Sequence, residues 1–136
     1  MNIRKFIMIV VGILIISGCG QKSLNERHQQ YLTNKGWKIK GIIEVETFIL
    51  EETPDELLSG FEANSITIFN EYLGKEVTQY IYELKEKDIE GKRLNAIIYE
   101  EKEKIIGGHG LLPSWTLGLF NLDDKQRLIN EGKIKQ

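Results

Sequence analysis

The chain has 136 residues, 18 basic and 20 acidic side chains, a formal charge of −2 and a single cysteine. That length suits one domain. The near-balanced charge argues against nucleic acid or an anionic lipid surface as a partner, and one cysteine excludes a disulfide framework.

In chain order, Arg4 and Lys5 come before an apolar run from Phe6 to Ile16. A basic start followed by such a run is the layout of a secretory signal, and the run is shorter than the roughly 20 apolar residues of a bilayer span. It ends in Ile16-Ser17-Gly18-Cys19, which resembles the lipobox of bacterial lipoproteins. The resemblance implies cleavage between Gly18 and Cys19, a diacylglycerol on the Cys19 sulfur, palmitate-type acylation, and Cys19 as the first residue of the mature chain. Two acyl chains anchor stably where one is marginal. The expected organisation is a signal peptide over 1–18, a lipidated tether over 19–23, one domain over 24–122 and a C-terminal tail over 123–136. The expected location is the extracytoplasmic face of the cell membrane. Without residues 1–18 the chain keeps 118 residues, with 16 basic and 20 acidic side chains.

Ser23-Leu24-Asn25-Glu26 has the form of a capping box. Leu24, His28, Tyr31 and Leu32 follow on one helical face, and Gly36 can cap the end, so a helix is predicted from Leu24 to Lys35. The next stretch alternates with period two and predicts a strand in which Trp37, Ile39, Ile43 and Val45 share a buried face, with a bulge at Gly41. Thr53-Pro54-Asp55-Glu56 opens a second predicted helix, from Pro54 to about Ala63 or as far as Asn70. Strands over 76–84, 92–99 and 105–110 follow, joined by turns at 87–91 and 101–104. Leu111 to Leu122 is apolar and irregular, with room for one more strand around Trp115 to Phe120. Asp123 or Asp124 can start a short helix, and the final residues are expected to fray. Short connections require antiparallel pairing. The expected fold is α+β: one mostly antiparallel sheet of about four strands with two helices on one face, in the order α-β-α-β-β-β.

Tyr31-Leu32-x-x-x-Gly36-Trp37, a Pro-led acidic helix, Gly74-Lys75-x-Val77 before a Tyr-rich strand, and Ile105-Ile106-Gly107-Gly108 occur in that order. Together they resemble a family of small exported domains of unknown function from Gram-positive, spore-former-type bacteria. The resemblance covers roughly Glu26 to Gly118. The family shows a tight Asp-Gly-type turn before its last strand, where this chain reads Glu101 to Lys104. The hairpin with its Ile-Gly-Gly ending also resembles PepSY-type extracellular modules, which implies an inhibitor or sensor of an exported protein.

Little in the sequence calls for catalysis. His109 lies among glycines, far from His28, and metal sites need several ligands at workable spacing. A strand end where glycines permit a bend is the simpler reading. No serine has a nucleophile-elbow context. The acidic pairs Glu51-Glu52, Glu100-Glu101 and Asp123-Asp124 read as solvated surface charge beside lysines. No cofactor or metal is expected. The hairpin is two-sided: Val77 and Ile81 oppose Tyr80, Tyr82 and Leu84. One face should pack on the helices. The other is either covered by Leu111 to Phe120, with Leu112, Trp115 and Leu119, or forms an aromatic groove of Tyr80, Tyr82, Tyr99 and Trp115. The expected function is a non-enzymatic, membrane-anchored binding or accessory module with an envelope protein or peptide as partner. The alternatives are a PepSY-like inhibitor or sensor and a small envelope hydrolase using His109 with a carboxylate.

Overall fold

The computed structural model describes residues 25–51, 61, 66, 71–115 and 118–135. The expected signal peptide, the expected cleavage site between Gly18 and Cys19, and the predicted helix over 54–63 apart from Phe61 lie outside them.

Helix α1 (Glu26–Asn34) is capped by Asn25, whose side chain accepts from the Arg27 and His28 amides. The cap is therefore Asn25 rather than Ser23, and Glu26 opens the helix instead of closing a capping box. Gly36 leaves the helix at φ 93°, the left-handed conformation that glycine adopts without steric cost.

Five antiparallel strands follow in chain order across one sheet: β1 (Ile39–Ile49), β2 (Glu76–Lys87), β3 (Arg93–Glu101), β4 (Lys104–Leu111) and β5 (Leu119–Phe120). Helix α2 (Lys125–Asn130) comes last. The fold is thus α+β around one antiparallel sheet, with five strands instead of four because Leu119–Phe120 adds an edge beyond β4.

Strand alternation gives the sheet two packed faces. Leu32 of α1, Leu128 of α2, Trp37, Tyr82, Leu84, Leu94, Ile98, Phe120 and Leu122 form one cluster. Leu50, Phe61, Ile66, Val77, Ile97 and Tyr99 form another on the opposite face. Two described helices therefore share a face, but the second is α2. Phe61, the described residue of the 54–63 segment, packs on the other side. It is Phe61, Ile66 and Leu50 that cover that second face, with Leu111 and Leu119 packed against them, whereas Leu112 and Trp115 join the cluster beneath α1.

β1 departs from the expected alternation. Ile43 and Val45 are more than half exposed. Register shifts between Ile39 and Gly41 and between Ile42 and Glu44 interrupt the two-residue period, and β1 lies at the end of the sheet. The C-terminus is tied down rather than frayed: Ile134 is buried and bridges Asp88, and the Lys135 amide donates to the Lys87 carbonyl at 3.0 Å. No helix among the described residues is long and apolar enough to cross a membrane.

Candidate functional site

Among the described residues, two buried histidines organise polar constellations, one on each face of the sheet. Beneath α1, His28 is fully buried. Its Nε2 lies 2.5 Å from Glu100 Oε2 and its Nδ1 2.5 Å from the Tyr82 hydroxyl. A carboxylate can only accept, so Nε2 carries the proton and donates to Glu100. Nδ1 then accepts from the Tyr82 O–H. Burial pushes the His28 pKa down against the opposing pull of Glu100, and burial with its neighbours Tyr80 and Glu100 pushes Tyr82 up. Both shifts keep this proton arrangement in place. Arg27 meets the same Glu100 oxygen at 3.1 Å and donates to the Glu103 carbonyl at 2.7 Å. The Tyr80 ring packs edge-on against His28 at 4.4 Å. Glu100 was expected on the surface with Glu101; it is 3% exposed.

On the other face, His109 Nε2 lies 3.1 Å from the Tyr99 hydroxyl, Phe61 meets the ring edge-on, and burial holds the His109 pKa down to about 4. The glycines around it serve close approach more than bending. A Cβ at Gly110 would overlap the Phe120 ring, and one at Gly108 would overlap the Ile97 carbonyl.

Hydroxyl, imidazole and carboxylate in line from Tyr82 through His28 to Glu100 have the connectivity of a proton relay. Tyr82 and His28, however, have no exposed surface, so the hydroxyl cannot reach a substrate. His109 has no carboxylate in contact among the described residues, and no group of three or more His, Cys, Asp or Glu there could hold a metal ion.

The four aromatic residues expected to form a groove do not all come together: Tyr80, Tyr82 and Trp115 share the α1-side cluster, and Tyr99 does not. Tyr82 and Tyr99 are buried on opposite faces, Tyr80 is half-buried beside His28, and Trp115 packs with the α1-side cluster. The pairing explains this: Tyr80 and Tyr82 stand opposite Ile98 and Ala96, so Tyr99 points the other way.

An open concavity lies elsewhere among the described residues. A cleft of about 610 Å³ is lined by Lys38, Lys85, Glu86, Lys87, Lys125, Ile129 and Lys135. Backbone pairing draws its walls together: the Lys85 amide donates to the Lys38 carbonyl at 2.8 Å, and Lys135 to Lys87 at 3.0 Å. Glu86 is already engaged, receiving Lys125 Nζ at 3.1 Å and the Lys38 amide at 3.2 Å. Lys125 also donates to the Gly36 carbonyl and lies over the Trp37 ring. The ammonium groups of Lys38, Lys85, Lys87 and Lys135 make no ion pair among the described residues. A basic patch was not expected from the mixed charges of this chain. Its one local signal is Lys85-x-Lys87, two lysines on one side of a strand end. Their convergence with Lys38 and Lys135 is tertiary.

Comparison with family models, with curated proteins and with solved structures finds no match to this chain.

Proposed function

We propose that this protein is a lipid-anchored module held on the outer face of the cell membrane through Cys19, and that it binds a ligand rather than transforming one. The observation that carries the binding reading is the lysine cleft: a solvent-open concavity of about 610 Å³ with four cations that make no ion pair among the described residues. That volume falls within the range of small-molecule sites. Both histidines are sealed inside the fold by hydrogen-bonded neighbours, at 0% and 3% exposure, which counts against a hydrolase working through His109. The anchoring reading rests on Arg4-Lys5, the short apolar run and Ile16-Ser17-Gly18-Cys19.

Metabolic labelling with a clickable fatty acid tests the anchor. The wild-type chain should carry label, fractionate with membranes and lack residues 1–18. Cys19→Ser should lose the label. Unlabelled wild-type protein recovered from the cytosol with its first eighteen residues intact would overturn this reading.

A further inference from the structure

We propose that the cleft between β2, α2 and the C-terminal segment binds a soluble molecule carrying two or more phosphate groups; this rests on the binding reading above and names its ligand. Three features argue for it. Of the six charged side chains lining the cleft, Glu86 and Lys125 satisfy each other, so four positive charges remain unopposed among the described residues. They occur in a chain whose overall charge is negative. Like charges gathered in one concavity repel one another and focus the field on an incoming anion.

The lysines are also held in place from the backbone. Lys38, the residue before β1, and Lys85 of β2 are hydrogen-bond partners, as are Lys87 of β2 and Lys135 of the C-terminal segment. Two pairs of cations thus line one cleft, a layout that suits a ligand with more than one anionic group. Finally, every cation in the cleft is a lysine. An ammonium is a compact point charge with three rotatable donors, which serves phosphate oxygens without the planar bidentate geometry that arginine imposes. Ile129 adds one apolar contact for the rest of the ligand. The concave shape favours a discrete soluble ligand over the flat surface of a membrane.

The test uses the full chain as isolated, reconstituted through its acyl chains into phosphatidylcholine vesicles, or in plain buffer if it carries none. The probe is inorganic tripolyphosphate, titrated by calorimetry at 50 mM and 500 mM salt. Wild type should bind, and tenfold more salt should weaken binding about tenfold or more. K38Q/K85Q/K87Q/K135Q should weaken binding at least tenfold at low salt, while the four-arginine counterpart should retain it. K75Q/K102Q/K104Q, which removes three lysines outside the cleft, should change it less than twofold. The four cleft lysines are exposed and make no side-chain bonds among the described residues, so the quadruple variant, relieved of their mutual repulsion, should melt no lower than wild type.

No binding by wild type, or equal loss in both glutamine sets, overturns the proposal. So does equally tight binding of poly-glutamate, which would make the site a carboxylate site. Preferential clustering with phosphatidylglycerol vesicles in place of tripolyphosphate would make it a membrane contact, and also overturns it. The anchor is read separately by the fatty-acid label, so an unlabelled protein that still binds tripolyphosphate loses its proposed location and keeps its ligand.

Discussion

His109 sets a pH limit on stability. In the unfolded chain an imidazole titrates near its ordinary value of about 6.5, and burial in the fold holds His109 to about 4. Its folded pKa is depressed, so the unfolded state binds the proton first. The resulting stability is fully present above about 6.5 and lost as pH falls toward 4. Between pH 7.5 and 5 the wild type should lose on the order of 2 kcal/mol more than His109→Gln, which can still bond Tyr99 but does not titrate. Urea melts of both proteins at the two pH values measure the difference; equal losses would mean that His109 is solvated. At His28 the concern is satisfaction rather than charge. Tyr82→Phe leaves Nδ1 buried without its donor, at a cost of about 1–3 kcal/mol. His28→Leu in the same background should cost less than the two single changes added together, as read from denaturation midpoints. Half of this site was legible in the sequence. His28 falls on the apolar stripe of a periodic helix, so its burial could be read locally. Its partner Glu100 lies 72 residues away, and a Glu-Glu pair beside a lysine carries the composition of a surface turn.

At the scale of elements, the turn between β3 and β4 runs against its own residues. Lys102 and Glu103 both have positive φ, at 52° and 66°, and Glu101 pairs with Lys104 directly. This is a two-residue hairpin turn with left-handed backbone at both positions, where Asn-Gly is favoured. K102N/E103G should stabilise the domain by about 1 kcal/mol. Arg27 grips the Glu103 carbonyl and not its side chain, so that contact survives the change. A fall in the denaturation midpoint would show that the native side chains make contacts worth more than the backbone strain. The turn is tight without the Asp-Gly signature, which is why the sequence reads as a longer loop. β4 shows the opposite case. Gly110→Ala forces a methyl into the Phe120 ring and should cost about 1–3 kcal/mol or more, with partial recovery in Gly110→Ala/Phe120→Leu. Gly41→Ala meets nothing within 4 Å and should stay within about half a kcal/mol of wild type. The run of glycines at 107, 108 and 110 marks a special backbone in the sequence. Only the ring of a residue ten positions later tells why. β1 misled for a related reason: period-two logic fails wherever the register slips, and here it slips twice.

At the scale of the molecule, the two clusters lie back to back on one sheet and share its central strands. β2 sends Tyr82 and Leu84 to one side and Val77 to the other, and β3 does the same with Ile98 and Ile97. Neither face can lose its packing without releasing strands that the other face needs, so unfolding should be a single cooperative transition. The tryptophans make this testable. Trp37 is a buried member of the α1-side cluster and Trp115 packs against it, so tryptophan fluorescence reports that face alone. His109, packed between Tyr99 and Phe61, reports the other through its imidazole proton resonances. Far-ultraviolet circular dichroism reports the sheet they share. In urea at pH 7.5 the three signals should give one midpoint and one slope. If the His109 resonances shift to unfolded values at lower urea than the fluorescence, the Phe61 side detaches first, and the domain is a stable α1-faced sheet carrying a weaker second layer. Leu50→Ala would then separate the midpoints further, because it removes a side chain buried only in that layer. In a cooperative fold the same substitution should move all three curves together by about 2–5 kcal/mol.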